Sequence, residues 1–160
     1  MAEIEDKKLQ LVTFQLGEEL YGIDIMTVEG IVRVAETRAI PNAPAYVDGI
    51  FNLRGEIIPI ISLHKRFHLQ RPELNEEDEL LSGFVILRIS GMKLGIIIDK
   101  VSRVVTVDVN KMQQPPQMLS GIGAEYIQGV FSRDDGYLII LNIDRLFDPK
   151  ELQKLDSISR

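Results

Sequence analysis

The chain writes one pattern twice. Tyr46–Phe67 reads YVDGIFNLRGEIIPIISLHKRF, and eighty positions later Tyr126–Phe147 reads YIQGVFSRDDGYLIILNIDRLF. The two align without a gap. Tyr46/Tyr126, Gly49/Gly129, Phe51/Phe131, Ile60/Ile140 and Phe67/Phe147 are identical, and 10 of the 22 columns are apolar in both copies. Random pairing at this apolar content gives about four or five such columns. A second match, at an offset of 73, aligns Tyr21-Gly22-Ile23 with Leu94-Gly95-Ile96. It also aligns Ile25, Val28 and Ile31 with Ile98, Val101 and Val104. The chain must therefore fold as two copies of one unit.

Within each copy the pattern is that of short strands. Leu9–Leu16 and Leu20–Ile25 alternate about Gly17-Glu18-Glu19 and read as a hairpin. After Ile25 the period changes. Ile25, Val28, Ile31 and Val32 fall at helical spacing and predict a short amphipathic helix ending near Gly30–Val34. Pro41 and Pro44 punctuate the loop that follows. Val47–Leu53 and Glu56–Ile61 read as antiparallel strands about Arg54-Gly55. Pro59 removes one ladder donor and predicts an edge or bulge. Leu63–Leu69 reads as a helical turn.

Residues 70–83 form an acidic connector, and the polar residues 1–7 are expected to fray. In the second half, Phe84–Ile89 and Lys93–Ile98 pair about Ser90-Gly91. Val101–Val109 is too β-branched for a helix and predicts a strand. Gln113–Gly123 is a Pro/Gly loop, and Asp134-Asp135-Gly136 is the last hairpin turn. Residues 149–160 have helical composition. The expected fold is mainly β: two packed five-stranded barrels with short helices and a groove between them. The units are approximately residues 9–69 and 84–148 of one domain, with exchange of strands left open.

Composition narrows the function. The net charge is −6, which opposes nucleic-acid binding and docking on anionic lipid. The chain has no cysteine, so thiolate catalysis and Cys-based zinc sites are excluded. No apolar run is long enough for a membrane span, and the charged N-terminus lacks a signal-peptide core. These features predict a cytoplasmic protein.

Catalytic sets are equally scarce. His64 and His68 are the only histidines. Their i, i+4 spacing suits a metal on a helix, but Lys65 and Arg66 between them favour a solvated turn. Asp24 and Asp99 read as local backbone caps. No phosphate loop and no cofactor motif is present. Surface remains. Arg54 stands in the first hairpin turn, where the second copy has Asp134, so the turn itself does not need it. An exposed arginine there suits bidentate contact with a carboxylate. Val28, Ile31, Val101 and Val104, where not core, suit the apolar face of a partner helix.

These residues carry a resemblance. Phe14–Ile31 (FQLGEELYGIDIMTVEGI), Pro44-Ala45-Tyr46-Val47, Gly49, Asn52-Leu53-Arg54-Gly55, Ile58-Pro59-Ile60-Ile61, Leu63 and Phe67 are similar to the CheW family of chemotaxis coupling proteins. So are Gly95–Val101 (GIIIDKV) and Tyr126-Ile127-Gln128-Gly129. The match spans about residues 9 to 148, and its most specific part is the NLRGxIxP segment.

The resemblance implies two SH3-like β-barrels and a non-catalytic adaptor. It implies as partners the regulatory domain of the histidine kinase CheA and the cytoplasmic tips of methyl-accepting chemoreceptors. The protein is then recruited to membrane-associated arrays without inserting into the membrane. It places Val28, Ile31, Arg54, Val101 and Val104 at the receptor groove, and Gly49 and Asn52 at barrel packing near the kinase interface. The family often has Glu where this chain has Gly30. The resemblance therefore leaves Arg54 without its usual intramolecular partner, and Glu29 on a helix points elsewhere. The alternative is a small β-barrel ligand binder or enzyme using the groove with Asp99 and Arg54.

Overall fold

The computed structural model of the chain describes residues 8–33, 35–69, 73, 75–115, 124–133 and 136–159. The fraying expected of residues 1–7, most of the Pro/Gly loop and Asp134-Asp135 lie outside them. The first half supplies β1 (Lys8–Leu16), β2 (Glu19–Asp24), β3 (Val28–Arg33), β4 (Val47–Leu53), β5 (Glu56–Ile61) and helix α1 (Leu63–Phe67). After α2 (Glu76–Glu79), the second half supplies β6 (Gly83–Ile89), β7 (Met92–Ile98), β8 (Lys100–Asp108), β9 (Ile127–Arg133), β10 (Gly136–Leu141) and α3 (Pro149–Ser159).

The strands form two five-stranded sheets, ordered β8-β1-β2-β10-β9 and β3-β6-β7-β5-β4. Each takes two strands from one half of the chain and three from the other. Sequence unit and spatial unit therefore do not coincide. The architecture is SH3-like, but neither ladder closes into the expected barrel. The edges are shielded differently. Arg38 exchanges two backbone hydrogen bonds with Ile50 of edge strand β4, and Gln113 does the same with Val130 of β9. Each arm pairs one edge of its sheet, and β3 and β8 are the opposite edges.

Two sequence expectations need correction. The helix expected after Ile25 is only a 3-10 turn, Ile25–Thr27, followed by strand β3. Pairing with β6, from Val28 opposite Leu87 to Arg33 opposite Gly83, overrides the weak helical period of these β-branched residues. Nor is Pro59 on an edge strand, since β5 lies between β4 and β7. The ladder to β7 is built from Ile60 and Ile61, just past the residue that has no N–H to give.

The pieces from the two halves meet along the antiparallel ladders of β1 with β8 and of β3 with β6, and along two short parallel seams. β10 runs parallel to β2, with Ile140 opposite Gly22, and β5 runs parallel to β7, with Ile60 opposite Gly95. The repeated isoleucine thus covers the repeated glycine in both sheets. A Cβ on Gly95 would stand 2.5 Å from Ile60 Cδ1, and one on Gly22 would stand 3.3 Å from Ile140 Cδ1. One central core then joins the sheets, with Phe14, Leu16, Tyr21 and Ile23 packed together with Val85, Leu87, Leu94 and Ile96. Smaller clusters fill each unit, around Leu11 and Ile140 in the first sheet and around Phe84 and Ile60 in the second.

The repeated aromatics pair crosswise. Tyr46 packs on Phe147 and Tyr126 on Phe67, with ring centroids 5.6 and 5.5 Å apart. Equivalent backbone bonds flank them, Ser62 N–H to Tyr46 O at 2.7 Å and Asn142 N–H to Tyr126 O at 2.8 Å. Arg66 sits among these rings, 4.8 Å from the centroid of Tyr46, 5.0 Å from Phe147 and 5.5 Å from Tyr126. It donates to Leu146 O and, bidentately, to Glu151 at 2.7 and 2.9 Å.

Glu151 also belongs to a capping box. Its N–H goes to Asp148 Oδ1 and its carboxylate accepts the Asp148 N–H. With Pro149 at the first helical position, this box starts α3, whose Leu155 is fully buried in the central core.

Two predictions follow from this packing. Gly95→Ala forces a methyl against Ile60 and is expected to cost about 1–3 kcal/mol in urea denaturation, with Gly22→Ala costing less. Burial, with Glu151 beside it, raises the Tyr46 phenol from 10.0 to about 12. A raised folded-state pKa contributes stability below the unfolded value that is lost as pH climbs through the folded one. Stability is therefore expected to fall between pH 10 and 12, and Tyr46→Phe should flatten that slope in alkaline melts. Burial also raises the Tyr21 phenol, which acts in the same direction.

Candidate partner-binding surfaces

The first surface is the tip of the β4–β5 hairpin. Arg54 and Gly55 both have positive φ, 53° and 87°, as a two-residue type I′ turn requires. Asn52 serves this turn, its Oδ1 accepting the Gly55 N–H at 2.9 Å. Arg54 pays the left-handed penalty that Gly or Asn would largely avoid, about 1 kcal/mol. Its side chain is exposed and has no hydrogen bond or ion pair among the described residues. Glu29, expected on a helix, instead projects from strand β3 and pairs with Arg88 at 2.6 Å.

Gly49 lies at the other end of β4. It is buried with φ 154°, and a Cβ there would stand 2.7 Å from Arg38 O. The space above it is thus taken by the chain's own covering arm.

The apolar candidates lie on β3 and β8, edge strands of different sheets. Val28 and Val101 are half-buried and pack against the same central core. Ile31 and Val104 are more open, 43% and 51% exposed. A β-bulge between Val28 and Gly30 interrupts simple alternation: Val28 opposite Leu87 and Ile31 opposite Val85 share the central-core face, whereas Val32 opposite Phe84 packs on the other face of the sheet. The structure does not gather the whole predicted set. β3 and β4 are opposite edges of the second sheet, so the ladder separates Arg54 from Ile31.

His64 was expected on a solvated turn but is buried, its Nε2 2.9 Å from Asp99 Oδ2. Ser62 caps α1 and His68 ends it in the left-handed conformation, which turns the first histidine inward and leaves the second exposed. The two therefore do not converge on a metal. Asp24 caps the 3-10 turn as expected, accepting the Met26 N–H at 3.0 Å.

Asp99 and Arg54 do not share a site. Lys93 at the start of β7 bonds Glu56 beside the Arg54 turn, whereas Asp99 follows the end of that strand, about 20 Å away. Sequence reasoning missed Arg66, Arg88 and Lys93. Their partners Glu151, Glu29 and Glu56 lie 37 or more positions away, so only the pairing of strands and helices could have found them.

Two SH3-like units with exchanged strands, an arginine-tipped hairpin and apolar residues on the equivalent edge strands β3 and β8 define a CheW-like domain. The family model of that description matches residues 10–151. The chain belongs to the CheW family of chemotaxis proteins. Chemotaxis protein CheW of Treponema pallidum (strain Nichols) is 61% identical over 155 residues, 97% of this chain and 91% of that one. Chemotaxis protein CheW of Klebsiella aerogenes is 29% identical over 151 residues, 94% of this chain and 89% of its own length. The crystal structure of the scaffolding protein TtCheW from Thermoanaerobacter tengcongensis matches with a TM-score of 0.79 at 34% identity, covering 94% of this chain and 95% of that one. The family is one of scaffolds and adaptors. No helix among the described residues is long and apolar enough to cross a membrane.

Because Arg54 has no hydrogen bond or ion pair among the described residues, Arg54→Gly is expected to keep or slightly raise the stability in urea, by up to about 1 kcal/mol. A clear loss of stability would show that the side chain supports the fold.

Proposed function

We propose that this chain is a non-catalytic chemotaxis adaptor that joins the cytoplasmic tips of methyl-accepting chemoreceptors to the regulatory domain of the histidine kinase CheA. In this reading it acts in the cytoplasm, is recruited to receptor arrays and uses no cofactor. The observation that supports the proposal is that exposed Arg54 and exposed Ile31 stand at opposite edges of one sheet, so two partners can be met at once.

Strands β3 and β8, with Val28, Ile31, Val101 and Val104, offer apolar contact to a helical hairpin. The resemblance groups Arg54 with the receptor groove, but the sheet separates it from Ile31. In this proposal the Arg54 tip, shaped by Asn52, instead offers a bidentate cation to a carboxylate on the kinase domain. Gly49 supports that tip indirectly, by letting the Arg38 arm cover β4.

Titrations of the purified chain with a receptor cytoplasmic hairpin and with the kinase regulatory domain test the proposal. The wild type is expected to bind both. Val101→Asp should weaken hairpin binding by about tenfold or more while sparing the kinase domain. Arg54→Glu should do the reverse with an unchanged melting curve. Failure of the wild type to bind either partner would sink the adaptor reading.

A further inference from the structure

The parallel ladder of β5 on β7 sets Ile60 opposite Gly95 and Ile61 opposite Ile96. The same register, carried past the strand ends, sets His64 opposite Asp99, and their side chains meet there at 2.9 Å. Both residues are buried, 3% and 2% exposed. Asp99 Oδ2 also accepts the Gly17 N–H at 2.7 Å, and the Asp99 N–H goes to Gln15 O at 3.0 Å. Asp99 is the single residue between β7 in the second sheet and β8 in the first. One carboxylate thus ties together helix α1, the β1–β2 turn and the corner at which the chain changes sheets.

The equivalent corner in the other half is built differently. There the ladder of β10 on β2, with Ile140 opposite Gly22, leads on to Asp144 opposite Met26. Asp144 is exposed and Met26 is 87% exposed. A 3-10 turn capped by Asp24 makes that corner, with no buried pair.

Stability alone does not account for the His64–Asp99 pair. Buried charged or polar pairs rarely outdo apolar residues of the same volume. This one also leaves His64 Nδ1 and Asp99 Oδ1 without a hydrogen-bond partner among the described residues, which adds to its cost. What the pair specifies is position. β8 begins one residue after Asp99 and meets β1 at once, Lys100 opposite Gln15 and Val101 opposite Phe14, before a bulge. A slip of one residue would turn Val104 inward and bring Val105 and Val107 out.

We propose that His64 and Asp99 are positioning residues that hold the start of β8 in register on β1, so that Val101 and Val104 are presented to the partner helix. The partner rests on the adaptor reading, and the register does not.

The test uses the full chain with His64→Leu, His64→Gln and Asp99→Asn, the last keeping the shape of the acceptor if the leucine variant does not fold. Methyl NMR and amide exchange are the first readout. In His64→Leu, Val101 and Val104 should shift and the Gly17 N–H should lose protection, while Val28 and Ile31 stay in place. Asp99→Asn should move the same signals less. The second readout is binding of a receptor hairpin. Here His64→Leu should lose about tenfold and His64→Gln should recover to within about threefold of wild type, with kinase-domain binding unchanged.

Unmoved Val101 and Val104 signals in the leucine variant, or shifts of equal size on β3, overturn the inference. So does a glutamine variant that behaves like leucine. Loss of hairpin binding in the wild type itself counts against the adaptor reading, and the methyl readout then still decides the register.

Discussion

Neither half of this chain can complete a sheet without the other. Each five-stranded sheet joins the two halves twice, along a short parallel seam, β2 with β10 or β5 with β7, and along an antiparallel ladder, β1 with β8 or β3 with β6. The antiparallel hairpins are local and form from nearby sequence. The seams are not local, and they exist only when both halves are in place. Gly95 lets β5 and β7 close, because a Cβ there would stand 2.5 Å from Ile60 Cδ1, and Gly22 gives a looser version of the same fit under Ile140. Exchange of strands also makes the central core continuous, so the two units behave as one body rather than as two domains with a hinge.

A symmetric scaffold of this kind needs something to settle its centre. The crossed pairs Tyr46–Phe147 and Tyr126–Phe67 place four repeated aromatics near one another, and a cation stands over three of them. Arg66 takes that place, while the equivalent position in the other copy is Leu146, which supplies a backbone carbonyl to the same guanidinium. The remaining donors go to Glu151. That choice also fixes where α3 begins, because the same glutamate closes the capping box at Asp148. Symmetry is therefore broken at the centre by one ion pair, and the terminal helix follows from the break.

Departures between the copies mark the surfaces as well. The turn columns hold Arg54 in one copy and Asp134 in the other, and the corners hold the buried His64–Asp99 pair in one unit and Asp144 with Met26 in its counterpart. Residues that repeat, such as Tyr46, Gly49, Phe51 and Ile60, are occupied in holding the unit together. Residues that do not repeat are free to meet something else or to orient those that do. CheW-family membership gives this division a use, since an adaptor has to present different faces to different partners from one frame.

The strands, their turns and the duplication were legible in the sequence because they are short-range matters. Alternation sets which side chains point inward, Arg54-Gly55 and Ser90-Gly91 set two hairpins, and a repeat can be counted. Val28 and Ile31 were matched to Val101 and Val104 by the repeat at an offset of 73, not by alternation, which bulges interrupt in both strands. The helix misread after Ile25 shows the limit. A helical period over a few β-branched residues gives way to a strand once β6 supplies backbone partners from fifty or more positions away.

The same limit hid Arg66 and the burial of His64, whose partners are distant in the chain. By itself, then, the sequence determined a doubled, mainly β unit and its exposed arginine turn. Only the tertiary structure decided which half completes which sheet, which histidine is buried and which charges are paired. Those outcomes depend on contacts between residues far apart, and no local pattern records them.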